Sequence, residues 1–221
     1  MPFVKSLPEN ATAYDVWKLH PQAYANWPAL TNSAMGVADS QLSPGEQEMI
    51  GAYASAIRGC THCYTAHYPI AEAYGIDADV FRLLIDDFDN APIDDKLRPI
   101  LCFVKKLTRE PEKLVQRDVD PIFASGWSEQ TFTEVVMICC IFAFMNTLMM
   151  GHGADKIDMS KLGPLAALHR GASVYNMERG ATLGDPEAML QKSVEQFGED
   201  ATQSAIAFAA ATRILGNNGD A

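Results

Sequence analysis

The chain has 221 residues, of which 48% are hydrophobic and 20% charged, with a formal net charge of −11. That is the composition of a globular protein able to bury a sizeable core without metals or disulfides. The acidic balance excludes general binding to nucleic acid or to an anionic membrane surface, both of which need a basic face.

Taken in chain order, the first residues (Met1-Pro2-Phe3-Val4-Lys5-Ser6-Leu7-Pro8) carry no apolar h-region and no signal cleavage pattern, so a cytoplasmic protein is expected. The pattern that follows is almost entirely helical, with scarce strand-like alternation. Ser43-Pro44-Gly45-Glu46 is a helix start. Ser43 supplies the N-cap, Pro44 fits the first turn and Glu46 completes a capping box. This helix is expected to run to about Ile57. Arg58-Gly59 interrupts it, and a second helix is expected from about Thr61 to Tyr74, closed by Gly75. Asp77 caps a short helix through Ile85, and a polar connection leads to a helical pattern over 94–107 with a disruption at Pro99. Gly126-Trp127-Ser128 precedes a long buried helix, roughly Glu129 to Met150. Its apolar run, Val135 to Met150, is interrupted by Asn146 and Thr147 and is shorter than the ~18–20 residues that span a bilayer, so no membrane segment is expected. Its all-round apolarity predicts burial on every side and hence a homo-oligomer. The expected architecture is a single all-α domain over 1–221, with a core at about 41–158 and a C-terminal helical extension at about 164–215.

The chemistry concentrates in Cys60-Thr61-His62-Cys63-Tyr64-Thr65-Ala66-His67. On a helix, residues three and four apart share a face, so Cys60, Cys63 and His67 form a stripe of two thiols and a base. Such a stripe can make and break a disulfide. Glu48 stands twelve residues before Cys60. In one straight helix that spacing is about 18 Å, too far for proton transfer, so Glu48 can serve the thiols only if the chain folds back at Arg58-Gly59. The thiols then sit at a helix N-terminus, which favours thiolate. Zinc is a rival reading, but only three ligands are at hand; an inert structural pair is another. A c-type haem site needs His directly after the second Cys, where Tyr64 stands. The remaining cysteines, Cys102, Cys139 and Cys140, lie in apolar context and are expected in the core, whereas polar neighbours set Cys60 and Cys63 apart. The odd total of five cysteines suits a reducing compartment. His20 and His169 read as ordinary polar residues, and His152 could approach the site. The order of the thiols stays open on these grounds: the helix dipole favours Cys60 as the more acidic, and a base four residues on favours Cys63.

Glu48, Cys60, His62, Cys63 and His67 at this spacing resemble the active-site signature of the alkylhydroperoxidase AhpD family, in the carboxymuconolactone decarboxylase-like superfamily. Leu42-Ser43-Pro44-Gly45-Glu46 resembles the opening helix of its peroxidase-related branch. Gly126-Trp127-Ser128 with Phe142-Ala143-Phe144-Met145-Asn146 resembles its second core helix. The resemblance covers roughly Gln41 to Asp158. It implies an AhpD-like helical bundle assembled as a trimer or hexamer, reducing a small-molecule hydroperoxide to an alcohol and water. It implies Cys63 as the attacking thiolate, Cys60 as the resolving thiol, Glu48 and His67 as the proton relay and His62 in support. No cofactor or metal is implied beyond the cysteine pair itself, which an external thiol or lipoyl-type reductant restores. Two other readings use the same residues: a thiol-exchange or redox-responsive protein without efficient peroxide turnover, and a helical binding protein whose cysteines are idle.

Overall fold

The computed structural model describes residues 1–25, 27–35 and 39–160. Among these there is no strand; the elements are α1 (Ala13–Trp17), α2 (Pro21–Ala25), α3 (Trp27–Met35), α4 (Pro44–Arg58), α5 (Thr61–Ala73), α6 (Ala78–Asp86), α7 (Arg98–Arg109), α8 (Gln116–Ala124) and α9 (Glu129–Gly151), with short 3₁₀ turns between. The described residues form an all-α bundle. The expected extension at 164–215, and His169 within it, lie outside the described residues.

The centre of the fold is the antiparallel hairpin of α4 and α5. Ser43 caps α4 by accepting the Glu46 N–H, and the Glu46 carboxylate accepts the Ser43 N–H at 2.7 Å, which is the capping box read from the sequence. Gly59 ends α4 in the left-handed conformation, φ 75°, a region costly for a side chain bearing Cβ. The turn brings the Cys60 N–H onto the Ser55 carbonyl at 3.0 Å, so α5 starts at once and runs back along α4. Helix α7 packs against α4, with α6 and α8 outside, and α9 crosses both α4 and α7. Gln41 fastens the start of α4 to the start of α9: its Oε1 accepts the Ser128 N–H and the Thr131 hydroxyl, each at 2.8 Å.

Two apolar clusters result. The larger unites Met49, Ile50, Tyr53, Ile100, Leu101, Val104, Val135, Ile138 and Phe142. The smaller gathers Leu7, Ala11, Val16 and Trp17 from the N-terminal segment with Met149, Ala154 and the two thiols Cys60 and Cys63. The cover that the N-terminal segment gives the thiols emerges only in the fold, as does α8.

Several expectations are corrected. Pro99 does not disrupt a helix; it lies in the first turn of α7, where a missing N–H costs nothing. Cys102 and Cys140 are exposed and only Cys139 of the three is buried, because 102 and 140 fall on the outward faces of α7 and α9. Cys60 and Cys63, expected in polar surroundings, lie in the smaller apolar cluster at 0% and 3% exposure. Helix α9 is longer than its apolar run suggested. It has 23 residues and, by length and composition alone, is long enough to cross a membrane, with mean hydropathy 1.9 in its most apolar stretch. Its inner face nevertheless holds polar Glu134 and Asn146 buried against the bundle. Cys140, Phe144 and Met150 stand exposed on it, the side that the expected burial in a homo-oligomer would have to cover.

Gly51 sets the distance between α4 and α9. A Cβ there would lie 2.2 Å from the Phe142 ring. Although Gly inside a helix costs ~1 kcal/mol relative to Ala, Gly51→Ala should destabilise the protein by about 1–3 kcal/mol through overpacking. A thermal melt at or above the wild-type midpoint would refute this account of the contact.

Candidate active site

The fold-back at Gly59 sets Glu48 of α4 beside His67 of α5. His67 Nδ1 lies 2.6 Å from Glu48 Oε2, both side chains being largely buried. With the Nδ1 proton donated to the carboxylate, the ring's orientation and tautomer are fixed and Nε2 is its basic nitrogen. The same ring meets the edge of Phe142, with centroids 4.6 Å apart and an interplanar angle of 75°.

One helical turn towards the N-terminus of α5 lies Cys63, and one more reaches Cys60, the N-cap residue. Both are free thiols. The Cys63 thiol hydrogen-bonds the Cys60 sulfur, and this is the largest influence lowering the Cys60 pKa below the usual 9.0. Burial opposes it, the Cys63 backbone N–H adds to it, and the charges of Asp155 and Lys156 act in opposite senses. No ordinary side-chain hydrogen bond caps this helix end. The two remaining cysteines with a resolved shift behave differently: burial pushes Cys102 up, and Cys139 up to about 12.

His62 is buried at the second position of α5, off the stripe by the helical rotation, and its N–H donates to the Asp155 carbonyl at 2.7 Å. The segment after α9 therefore holds the start of α5, and Met159 N–H donates to Thr65 Oγ1 at 2.6 Å in the same way. Asp155 is buried and paired with Lys156 at 2.8 Å. Sequence reasoning missed both; an Asp-Lys pair just past a Gly-ended helix carries no signal of its own. His152 caps α9, with its Nδ1 on the Leu148 carbonyl at 2.8 Å, and His20 Nδ1 accepts the Ala23 N–H. Among the described residues, no three His, Cys, Asp or Glu side chains gather as a metal site.

The structure thus brings together Glu48 with His67 and Cys60 with Cys63, on one hairpin and in two adjacent layers. A carboxylate-held imidazole beside two mutually hydrogen-bonded thiols can move a proton off sulfur and join the sulfurs in a disulfide.

The sequence profile of the carboxymuconolactone decarboxylase family matches residues 21–86, which include the whole α4–α5 hairpin. No curated protein matches the chain. Among solved structures, the fold is similar to the alkylhydroperoxidase AhpD core of a peroxidase-related protein from Ralstonia eutropha JMP134. That likeness has 21% identity and a TM-score of 0.61, and covers 68% of this chain and 80% of that one. It is also similar to a peroxidase-related protein from Silicibacter sp. TM1040, at 23% identity and a TM-score of 0.57, over 63% of this chain and 72% of that one. The site hairpin thus lies within the stretch that resembles the carboxymuconolactone decarboxylase family, and the fold is AhpD-like.

Proposed function

We propose that the protein is a thiol-dependent peroxidase that reduces a hydroperoxide through a Cys60–Cys63 dithiol/disulfide cycle. The observation that carries this reading is the Glu48–His67 pair lying one turn along α5 from two thiols in mutual contact. His67 Nε2 takes the proton from Cys63. The Cys63 thiolate attacks the nearer peroxide oxygen, forming an S–O bond as the O–O bond breaks. The departing alkoxide takes the proton back from His67 as ROH. Cys60 sulfur then displaces hydroxide from the Cys63 sulfenic acid, which leaves as water with the Cys60 proton, and the disulfide forms. Glu48 holds the imidazole through both transfers, and His62 supports the thiol turn. An external thiol or lipoyl-type compound restores the dithiol, in a cytoplasmic, reducing setting.

Stopped-flow mixing of the fully reduced protein with cumene hydroperoxide tests the cycle. Wild type should consume one equivalent with loss of two thiols. Cys63→Ser should consume none, and Glu48→Gln, which keeps the side chain's size but not its charge, should be slower by up to about 10²-fold. Loss of two thiols to a general disulfide oxidant without peroxide consumption would replace this reading by thiol exchange.

The thiol environments give a second expectation. Cys60 lies below the usual thiol value of 9.0, while Cys102 and Cys139 lie above it, Cys139 at about 12. The thiolate fraction at a given pH is larger for the lower pKa. Alkylation of protein whose cover has been loosened by mild denaturant, read residue by residue by peptide mapping, should therefore rise at lower pH for Cys60 than for Cys102 or Cys139. Equal midpoints for Cys60 and Cys102 would remove the favoured-thiolate assignment.

Assembly is part of the same proposal. Phe144 and Met150 leave α9 with apolar surface that stands exposed among the described residues. Light scattering at micromolar concentration should give a trimer or hexamer; a monomer mass would exclude it.

A further inference from the structure

Asn146 interrupts the apolar run of α9 and is fully buried, at 0% exposure. Buried carboxamides are ordinarily satisfied at both ends. Here one end meets Ser55, whose hydroxyl lies 3.0 Å from Asn146 Oδ1 and 2.9 Å from the Gly51 carbonyl. One hydroxyl proton cannot serve both. The Gly51 carbonyl, inside α4, already receives a helical N–H, so donation from Ser55 to Asn146 leaves neither oxygen without a donor. The other end, Nδ2, has no hydrogen-bond partner among the described residues. A buried amide N–H₂ without an acceptor forfeits its hydration with nothing in return, which points to an acceptor outside the described residues.

The register of α9 against α5 shows where that end sits. The Phe142 ring meets the His67 ring, while Met149 packs in the cluster of Cys60 and Cys63. The two helices therefore run antiparallel. Asn146 is one turn on from Phe142, and Cys63 is one turn back from His67, so the carboxamide lies at the level of Cys63. Ser55, which holds it, also receives the Cys60 N–H on its own carbonyl. The buried amide donor is thus held at the thiol layer, one turn of α9 from the contact between Phe142 and His67.

We propose that Asn146 Nδ2 is the hydrogen-bond donor to the leaving oxygen of the hydroperoxide. The proposal rests on the peroxidase reading above. As Cys63 sulfur bonds to the nearer oxygen and the O–O bond breaks, negative charge develops on the farther oxygen before His67 protonates it. A preorganised donor in a buried site acts on that developing charge and not on the resting thiol. Ser55 is the positioning residue that keeps the carboxamide turned this way.

The test separates oxygen from sulfur. Reduced wild type and Asn146→Ala are compared in two reactions: single-turnover consumption of cumene hydroperoxide, and alkylation of Cys63 by iodoacetamide across pH. The variant should lose roughly 10²–10³-fold in the peroxide reaction, while its alkylation profile superimposes on that of wild type. Should Asn146→Ala fail to fold by circular dichroism, the similarly shaped Asn146→Leu, which lacks the donor, takes its place in the peroxide assay and should show the same loss. Peroxide consumption by the variant at the wild-type rate overturns the proposal and leaves the peroxidase reading standing. A parallel fall in both reactions overturns it in favour of a packing role. A wild type that consumes no peroxide overturns the peroxidase reading itself, and the proposal with it.

Discussion

The contact on which the rest of the site depends is the one between Glu48 and His67, 2.6 Å apart across the α4–α5 hairpin. A carboxylate buried to this degree is expensive to leave without a partner, and removing one member of such a pair strands the other. The pair therefore ties the two helices in a single register. Cys60 and Cys63 inherit their places from that register, because α5 begins as soon as Gly59 has reversed the chain. Phe142 closes the other side of the imidazole, and Gly51 is what lets that ring approach α4.

The local grammar of this hairpin was open to reading because its signals are short-range. Ser43 with Glu46, Gly59 and Gly75, Asp77 and Ser128 each act on backbone groups within a few residues, and the spacing of Glu48 required the fold-back that Gly59 supplies. What stayed hidden depends on contacts far apart in the chain. Nothing in Leu7, Val16 or Trp17 says that they cover the thiols, and nothing in Asp155 says that its carbonyl takes the His62 N–H. Cys102 and Cys140 were misplaced for a related reason: apolar neighbours in sequence say little about which side of a helix a residue occupies. Asn146 did carry a signal, a lone carboxamide in an apolar run, but its meaning appears only when Ser55 is seen opposite it.

Burial separates the cysteines less well than hydrogen bonding does. Cys139 and Cys60 are both buried, and burial raises both. Cys139 has no hydrogen-bond donor to offset that penalty and goes up to about 12. Cys60 has the Cys63 thiol and backbone N–H directed at its sulfur, and it comes out below the usual value despite a burial penalty of its own. Low dielectric strengthens whatever donor is present at the same time as it punishes its absence. A thiol of lowered pKa can therefore sit under an apolar cover, provided the donors are built into the turn that carries it. In this chain that turn is the start of α5, where Cys63 is itself the donor to Cys60, so the contact that lowers the Cys60 thiol joins the two sulfurs that a disulfide would link.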